Sequence, residues 1–319
     1  MKIVVPKFHK DFKCIAGACP DSCCQGWEVD VDSASLAYYK TLEGPFRERI
    51  DSVLDKDEFG NTVFRLAEKK RCPFLNSENL CDLHIEKGVE HTPNTCRMFP
   101  KFENSFGGTK EVGYSFSCPV ASRLMWNMSE DFDFDTVINS DPPELNDIDA
   151  EFYFKILSAR KEAYKTVLDK SKPLNERLAV FLSGAKVLQD EIKPYVDGTK
   201  SMTMKEVFTN PENINPEWVR RVETSSYNAK IIDEKSTENV VMYFVFRYYL
   251  QATYDCDVLS KAKMAVVGAL IPSYFGNEDW AVHLWSKETE HSDVNMRRYE
   301  KLLKTASALS YENLMSILK

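Results

Sequence analysis

From residue 147 onward the apolar positions recur at helical steps. Ile148, Phe152 and Ile156 are followed by Ala163 and Val167, and then by Leu174, Leu178, Phe181, Leu182, Ala185 and Leu188. Steps of three and four residues put such side chains on one face of a helix. Asn215-Pro216-Glu217 offers a cap with proline in the first turn. Ser236-Thr237-Glu238 opens the most apolar helix, through Val240, Phe244, Tyr248 and Gln251. Further helices are expected over 259–275 and from 278 past His283, and Ser310 caps a terminal turn. The aromatic residues here follow the helical stripe, so they are read as core rather than as a cofactor box.

The first 128 residues lack this period. A short strand is expected over 2–5. Trp27-Glu28-Val29-Asp30-Val31-Asp32 alternates strictly, which predicts a strand with Trp27, Val29 and Val31 inward. Ser33 caps a helix to about 42, ended by Gly44-Pro45, and a second helix covers 46–54. A turn at 57–61 leads to a return strand over 62–66. A helical passage over 81–88 stops at Gly88, and 106–108 is a turn. Between the two regions, residues 129–151 carry nine acidic residues and no Lys or Arg, with Pro142-Pro143 inside. That stretch reads as a linker, or alternatively as an acidic rim for a basic substrate segment. The pattern thus predicts a mainly α chain in three parts. They are an irregular Cys-rich domain with short strands at 1–128, an acidic linker at 129–149 and an all-α domain at 150–319.

Cysteine usage changes the picture most. Eight of the nine cysteines lie in the first 118 residues: Cys14, Cys19, Cys23, Cys24, Cys72, Cys81, Cys96 and Cys118. The ninth, Cys256, is expected to be a buried thiol. Soft thiolates in a cluster suit zinc or an iron–sulfur cluster. Disulfides and inert buried thiols are the competing readings. The run Ile3-Val4-Val5 is broken at once by Pro6 and Lys7, which is too short for the apolar core of an export signal. Reduced thiols then favour metal. Structural zinc prefers paired Cys-x2-4-Cys knuckles, whereas Cys72, Cys81, Cys96 and Cys118 are widely spaced and must be gathered by the fold. Adjacent Cys23 and Cys24 diverge in either a strand or a helix. His84, three residues after Cys81, is read as an ordinary polar residue rather than a ligand.

Charge and missing motifs narrow the function. A formal net charge of −8 argues against a nucleic-acid partner. The richest apolar run, 240–250, contains Arg247 and is too short to span a bilayer, so a cytoplasmic protein is expected. No glycine-rich dinucleotide loop, P-loop or His-Glu-x-x-His helix is present. The radical-type Cys-x3-Cys-x2-Cys run starts at Cys19 and Cys23 but meets Gly26.

Four motifs carry a family resemblance: Cys-x4-Cys-Pro-Asp-x-Cys-Cys-x-Gly-Trp at 14–27, Arg-Cys-Pro-Phe-Leu-Asn at 71–76, Thr-Cys-Arg-x-Phe-Pro at 95–100 and Ser-Cys-Pro-x-Ala-x-Arg-Leu at 117–124. In order and spacing the chain resembles the flagellin lysine N-methylases, within the broader Cys-rich zinc- or iron-chelating group. The resemblance covers roughly 8–125. It departs at Val120, where the family pattern has glutamate. It implies methyl transfer from S-adenosylmethionine to lysine side chains of a protein partner, flagellin, and a four-iron, four-sulfur (4Fe-4S) cluster or zinc held by the eight N-terminal cysteines. The catalytic base is not identified. Arg97 and Arg123 are candidates for holding the cofactor's carboxylate, or for structural pairing. The alternatives are a non-enzymatic iron or zinc carrier and an interaction module stapled by zinc.

Overall fold

The structure is a computed structural model that describes all residues except 58–59, 141, 143–146, 193–194, 232 and 277. The chain is mainly α, with short strands between residues 2 and 138 and helices after them. It packs as two compact units. One comprises Met1–Phe12, Glu103–Ser117 and Ala121–Lys319; the other comprises Lys13–Phe102 and Cys118–Val120. These bounds differ from the expected 1–128, 129–149 and 150–319.

In the larger unit a four-stranded sheet runs in the order Lys101–Phe106, Thr109–Tyr114, Lys2–Pro6, Phe134–Ile138. Strand Lys2–Pro6 is parallel to Thr109–Tyr114 and antiparallel to Phe134–Ile138, with Lys2 opposite Ile138 and Pro6 opposite Phe134. The last strand lies inside the expected acidic linker. Its charges are met from a distance: Lys7 pairs with Asp133 at 2.5 Å and Lys10 with Asp135 at 2.6 Å. Asp131 meets Lys170 at 3.4 Å and Lys235 at 3.3 Å. The first part of that stretch is therefore a sheet edge. The expected turn at 57–61 and the Pro142-Pro143 break fall partly outside the described residues.

The helices of this unit surround Val258–Phe275. It packs against Glu234–Tyr248, Leu174–Ile192 and Asp279–Glu290. By length and composition it is apolar enough to cross a membrane, but 94% of it is buried inside the protein. A helix that is apolar on all sides belongs in a core. Its two buried lysines are paired: Lys261 with Asp255 at 2.8 Å and Lys263 with Asp197 at 2.5 Å. Caps fall where short polar residues precede apolar runs. Asp149, Asn215, Asp233, Asp257 and Ser310 each accept a backbone N–H of the following turn. Ser310 thus caps a full helix, Tyr311–Leu318. The long helix expected from 278 is two helices, Asp279–Glu290 and Asp293–Thr305, and Ser292 caps the second. Cys256 is only partly buried. It ends Ala252–Asp255 at φ 55°, and its carbonyl accepts from Gln189 at 3.1 Å.

Gly268 lies where helix Val258–Phe275 meets helix Glu234–Tyr248. A Cβ there would stand 2.7 Å from Cδ2 of Phe244, a fully buried ring. We expect Gly268→Ala to cost about 1–3 kcal/mol by overpacking, read as a lowered urea midpoint with unchanged slope. Wild-type stability in the variant would mean that the Phe244 ring shifts freely.

In the smaller unit an antiparallel sheet of Val29–Asp30, Thr62–Phe64 and Leu54–Lys56 packs with helices Ser33–Tyr39 and Pro45–Val53. Its core joins Val29, Val31, Tyr39, Ile50, Phe64 and Phe74, and includes the thiol of Cys72; Cys24 and Cys81 pack against its edge. The alternation over 27–32 yields only two residues in the ladder. Gly26, at φ 107°, turns the chain just before it, and Asp32 just after it caps the next helix in place of the expected Ser33. Val29 and Val31 are buried as expected, while Trp27 is half-buried with its ring 5.6 Å from that of Phe99.

Candidate metal centre

The cysteine motifs meet through backbone bonds. The N–H of Cys72 donates to the carbonyl of Cys24 at 2.8 Å, and Gln25 and Arg71 form a bridge alongside. A tight turn then folds 76–80 back on itself. Asn76 Oδ1 accepts the N–H groups of Glu78 and Leu80, and Asn79 takes φ 56°. Arg71 clamps this turn through the Asn76 carbonyl at 3.0 Å and Asn79 Oδ1 at 3.1 Å. The Leu75–Cys81 bridge closes it, so Cys81 returns beside Cys72. Gly17, inside the first motif, lies against the same turn; a Cβ there would be 2.6 Å from the Glu78 carbonyl oxygen. Arg49 holds both flanks, donating to Pro73 O at 2.7 Å and to Asp82 Oδ2 at 2.8 Å. Helix Asn94–Met98 brings Cys96 in, anchored by the Asn94 N–H on Asp32 Oδ2 at 2.7 Å.

Four of the sulfurs lie within reach of one another's charge. Cys24, Cys72, Cys81 and Cys96 interact electrostatically in all six pairs. Burial pushes the Cys72 thiol up to about 12, against N–H donors from Phe74 and Leu75. Burial also raises Cys81, against N–H donors from His84 and Leu83. Solvent reaches part of Cys96, yet the protein packed around its sulfur raises it, as do the other three sulfurs. Cys24 moves the other way, to about 7. The Cys23 thiol donates to it, and the Ser22 hydroxyl and the Arg71 charge add to the effect against burial. Cys23 is correspondingly raised, chiefly by that same bond.

Paired N–H donors two and three residues after Cys72 and Cys81 favour thiolate over thiol, since charged acceptors make the stronger hydrogen bonds. The nine cysteines are thiols rather than halves of disulfides. Among the described residues no three His, Cys, Asp or Glu side chains close around a single point. The sulfurs are therefore gathered but not drawn tight, and the donor chemistry fits a soft, thiolate-held centre.

Cys23 adjoins these four sulfurs as well, through its bond to Cys24 and its interaction with Cys96. Cys14 reaches them through Cys23 and accepts from the Ala16 N–H at 3.4 Å. The Cys19 thiol donates to Asp21 O at 3.3 Å. Cys118 is buried beside Pro119. His84 is exposed. Arg97 donates to backbone carbonyls, those of Thr92 and Glu90, rather than forking onto a carboxylate. Arg123 is largely exposed and its Nε meets Asp279 at 3.2 Å. The positioning residues Arg49, Arg71 and Asp32 carry no ligand-type signature. Asp32 was readable only as a polar residue before a helix.

Asp32 supplies a pH handle. Burial opposes its charge, but N–H groups of Asn94 and Ser35, the Ser35 hydroxyl and the Arg97 charge outweigh that and hold it at about 2. A depressed carboxyl contributes stability that is complete above its ordinary value of about 3.9 and lost as pH falls through the folded value. Asp32→Ala should lose about 1–2 kcal/mol at neutral pH, the worth of a helix cap. The gap from wild type should close between about pH 4 and 2. Urea melts across that range test it, and a gap that does not change with pH would contradict the assignment.

Comparison with known proteins places this region. Residues 13–114 match a family model described as "Putative zinc- or iron-chelating domain". The chain is 24% identical over 129 residues to a flagellar biosynthetic protein, FliU, of Salmonella muenchen, covering 39% of this chain and 76% of that protein. It is 24% identical over 129 residues to a lysine-N-methylase of Salmonella typhimurium and 23% to one of Salmonella choleraesuis. Each of these two matches covers 39% of this chain and only 32% of the methylase. No solved structure matches the chain. Residues 13–114 are thus similar to a zinc- or iron-chelating domain, and over 129 residues the chain is similar to proteins named lysine-N-methylase, of whose length it spans about a third.

Proposed function

We propose that this protein is a lysine N-methylase of the flagellin type, acting in the cytoplasm with a metal centre held by Cys24, Cys72, Cys81 and Cys96. The observation that carries the reading is the coincidence of two independent facts. The matched relatives include proteins named lysine-N-methylase, and four thiols of the matched region lie within electrostatic reach of one another. A centre bound there supplies a metal, zinc or a four-iron, four-sulfur cluster, as Lewis acid and structural staple. Cys14, Cys23, Cys19 and Cys118 stand as outer candidates around the quartet.

In the transfer, a neutral lysine amine attacks the methyl carbon of S-adenosylmethionine. The N–C bond forms as the S–C bond breaks, S-adenosylhomocysteine leaves, and the amine's proton passes to a base or to water. Arg97 and Arg123 remain the cofactor-holding candidates. Arg123, exposed and bound only through Nε to Asp279 in the described contacts, is the better placed to turn toward a ligand.

The test is metal-loaded protein incubated with S-adenosylmethionine and flagellin of the same organism, followed by peptide mass analysis. Additions of one methyl unit on lysine are the expected result. Their absence, with no saturable S-adenosylmethionine binding, would leave the second reading, a non-enzymatic metal-binding protein. The matched region favours that reading in one respect: its family description names chelation alone.

A further inference from the structure

The two edges of the four-stranded sheet are treated differently. At the Lys101–Phe106 edge the Ser105 carbonyl accepts from the Tyr254 hydroxyl, and Asn104 donates to the Arg247 carbonyl at 2.8 Å. The other edge is Phe134–Ile138, whose last three residues, Thr136, Val137 and Ile138, are all exposed.

The backbone of that strand faces two ways. Asn139 N–H donates to the Met1 carbonyl at 3.1 Å, and Lys7 N–H to the Asp133 carbonyl at 2.9 Å. Antiparallel partners alternate between bonded and non-bonded pairs. With Lys2 opposite Ile138, residues 133, 135, 137 and 139 therefore spend their backbone groups on strand Lys2–Pro6. Those of Thr136 and Ile138 turn outward, where no described residue bonds to them. The Phe134 N–H is already taken, by Asp133 Oδ1 at 2.8 Å. Native sheets commonly blunt such an edge with lysine, proline or a bulge. Phe134–Ile138 has neither lysine nor proline, and Val137 and Ile138 are 51% and 82% exposed.

Its side chains alternate as well. Thr136 lines a groove with Ile148 and Phe154, while Asp133, Asp135 and Val137 belong to the opposite face. That second face is acidic. Asp133 stays 59% exposed in its pair with Lys7, and residues 129–151 hold nine acidic residues and no Lys or Arg. Two copies joined edge to edge would bring these stretches together, and like charges across a strand pair repel. A basic strand is attracted instead.

We propose that the Phe134–Ile138 edge docks an extended basic segment of another protein, one that alternates lysine or arginine with apolar residues. Such a segment adds a strand to the sheet. Its backbone bonds to Thr136 and Ile138, its apolar side chains lie on the groove side with Thr136, and its cations face Asp133 and Asp135. The surface does not rest on the methylase reading, since a basic segment docks there whether or not it is methylated.

Fluorescence anisotropy of a short labelled peptide alternating lysine with valine, titrated with the full chain, tests the proposal. The peptide should bind with a Kd below about 1 mM, and more weakly as salt rises. Glutamate in place of its lysines should weaken binding about tenfold. Thr136→Pro is the decisive variant. The N–H it removes serves no bond within the sheet, so the melting temperature should hold while affinity falls roughly tenfold. Val137→Lys, at an exposed position, should weaken binding roughly threefold through charge alone. If Thr136→Pro does not fold, peptides N-methylated at alternate residues replace it with the unaltered protein: one of the two methylation registers should abolish binding. The proposal is overturned by a lysine peptide that does not bind, or by a glutamate peptide that binds equally well. Undiminished binding in folded Thr136→Pro, or of both N-methylated peptides, overturns it too. So does a dimer that Thr136→Pro disrupts in protein that ignores the peptide, which would make a second copy the occupant.

Discussion

Cys72→Ser or Cys81→Ser will strip the protein of its metal and unfold much of the Cys-rich unit. Both sulfurs sit against a small hydrophobic core that also holds Val29, Phe64 and Phe74. Both receive two backbone N–H donors, and both interact with Cys24 and Cys96. Serine keeps the shape of cysteine but cannot offer a thiolate, so it removes a ligand while disturbing packing little. A unit with short strands and long irregular connections draws much of its folding free energy from such a centre. Structural zinc contributes about 10–16 kcal/mol in small finger peptides. The measurement is metal per chain after anaerobic purification, with absorption near ~400 nm if iron–sulfur is present. Proteolysis within residues 13–102 should accompany metal loss. Cys24→Ser and Cys96→Ser should behave alike, whereas Cys256→Ser, far along the chain and partly exposed, should keep full metal content. Parental metal content in both Cys72→Ser and Cys81→Ser would refute the quartet.

The quartet also shows what sequence can carry. Eight candidate ligands are readable because cysteine is rare and clustered. Which of them converge is decided by backbone contacts such as Cys72 N–H to the Cys24 carbonyl, and by a turn around Asn76, whose side chain gives no sign of metal. The helices are legible for a different reason. Their apolar stripe is periodic and their caps are local, so Asn215 and Ser310 can be named from neighbours alone. Strand Phe134–Ile138 was obscured by charge. Phe132-Asp133-Phe134-Asp135 does alternate, but the lysines that neutralise it lie at positions 7, 10, 170 and 235, beyond any local window. Val29 and Val31 illustrate the middle case: period two correctly sent both inward, while the ladder itself needed a partner strand thirty-odd residues on and extends only over Val29–Asp30.

Glu238→Ala is expected to be the most damaging single change in the helical unit outside its apolar core. Glu238 has no exposed surface, and from helix Glu234–Tyr248 it pairs with Arg177 of helix Leu174–Ile192. Its carboxylate accepts from Arg177 Nη1 at 2.5 Å, from Lys235 at 3.2 Å and from Lys170. The three cations do not suffer equally from its loss. The side chains of Lys170 and Lys235 are 49% and 31% exposed and both also meet Asp131, so they can turn to water. Arg177 is 3% exposed and its Nε has no partner among the described residues. It would keep only a 3.3 Å contact to Glu234 and the Val167 carbonyl. A buried cation stripped of its main carboxylate costs about 3–5 kcal/mol, a drop on the order of 10 °C in melting temperature for a unit of this size. The same physics predicts rescue. Replacing both partners, Glu238→Leu with Arg177→Met, removes the unpaired charge and should recover most of the loss, because well-packed apolar residues often match a buried ion pair. Urea and thermal melts of the two single variants and the double variant decide it. A loss below about 1 kcal/mol in Glu238→Ala, or a double variant no better than the single ones, would mean that Arg177 finds another route to solvent.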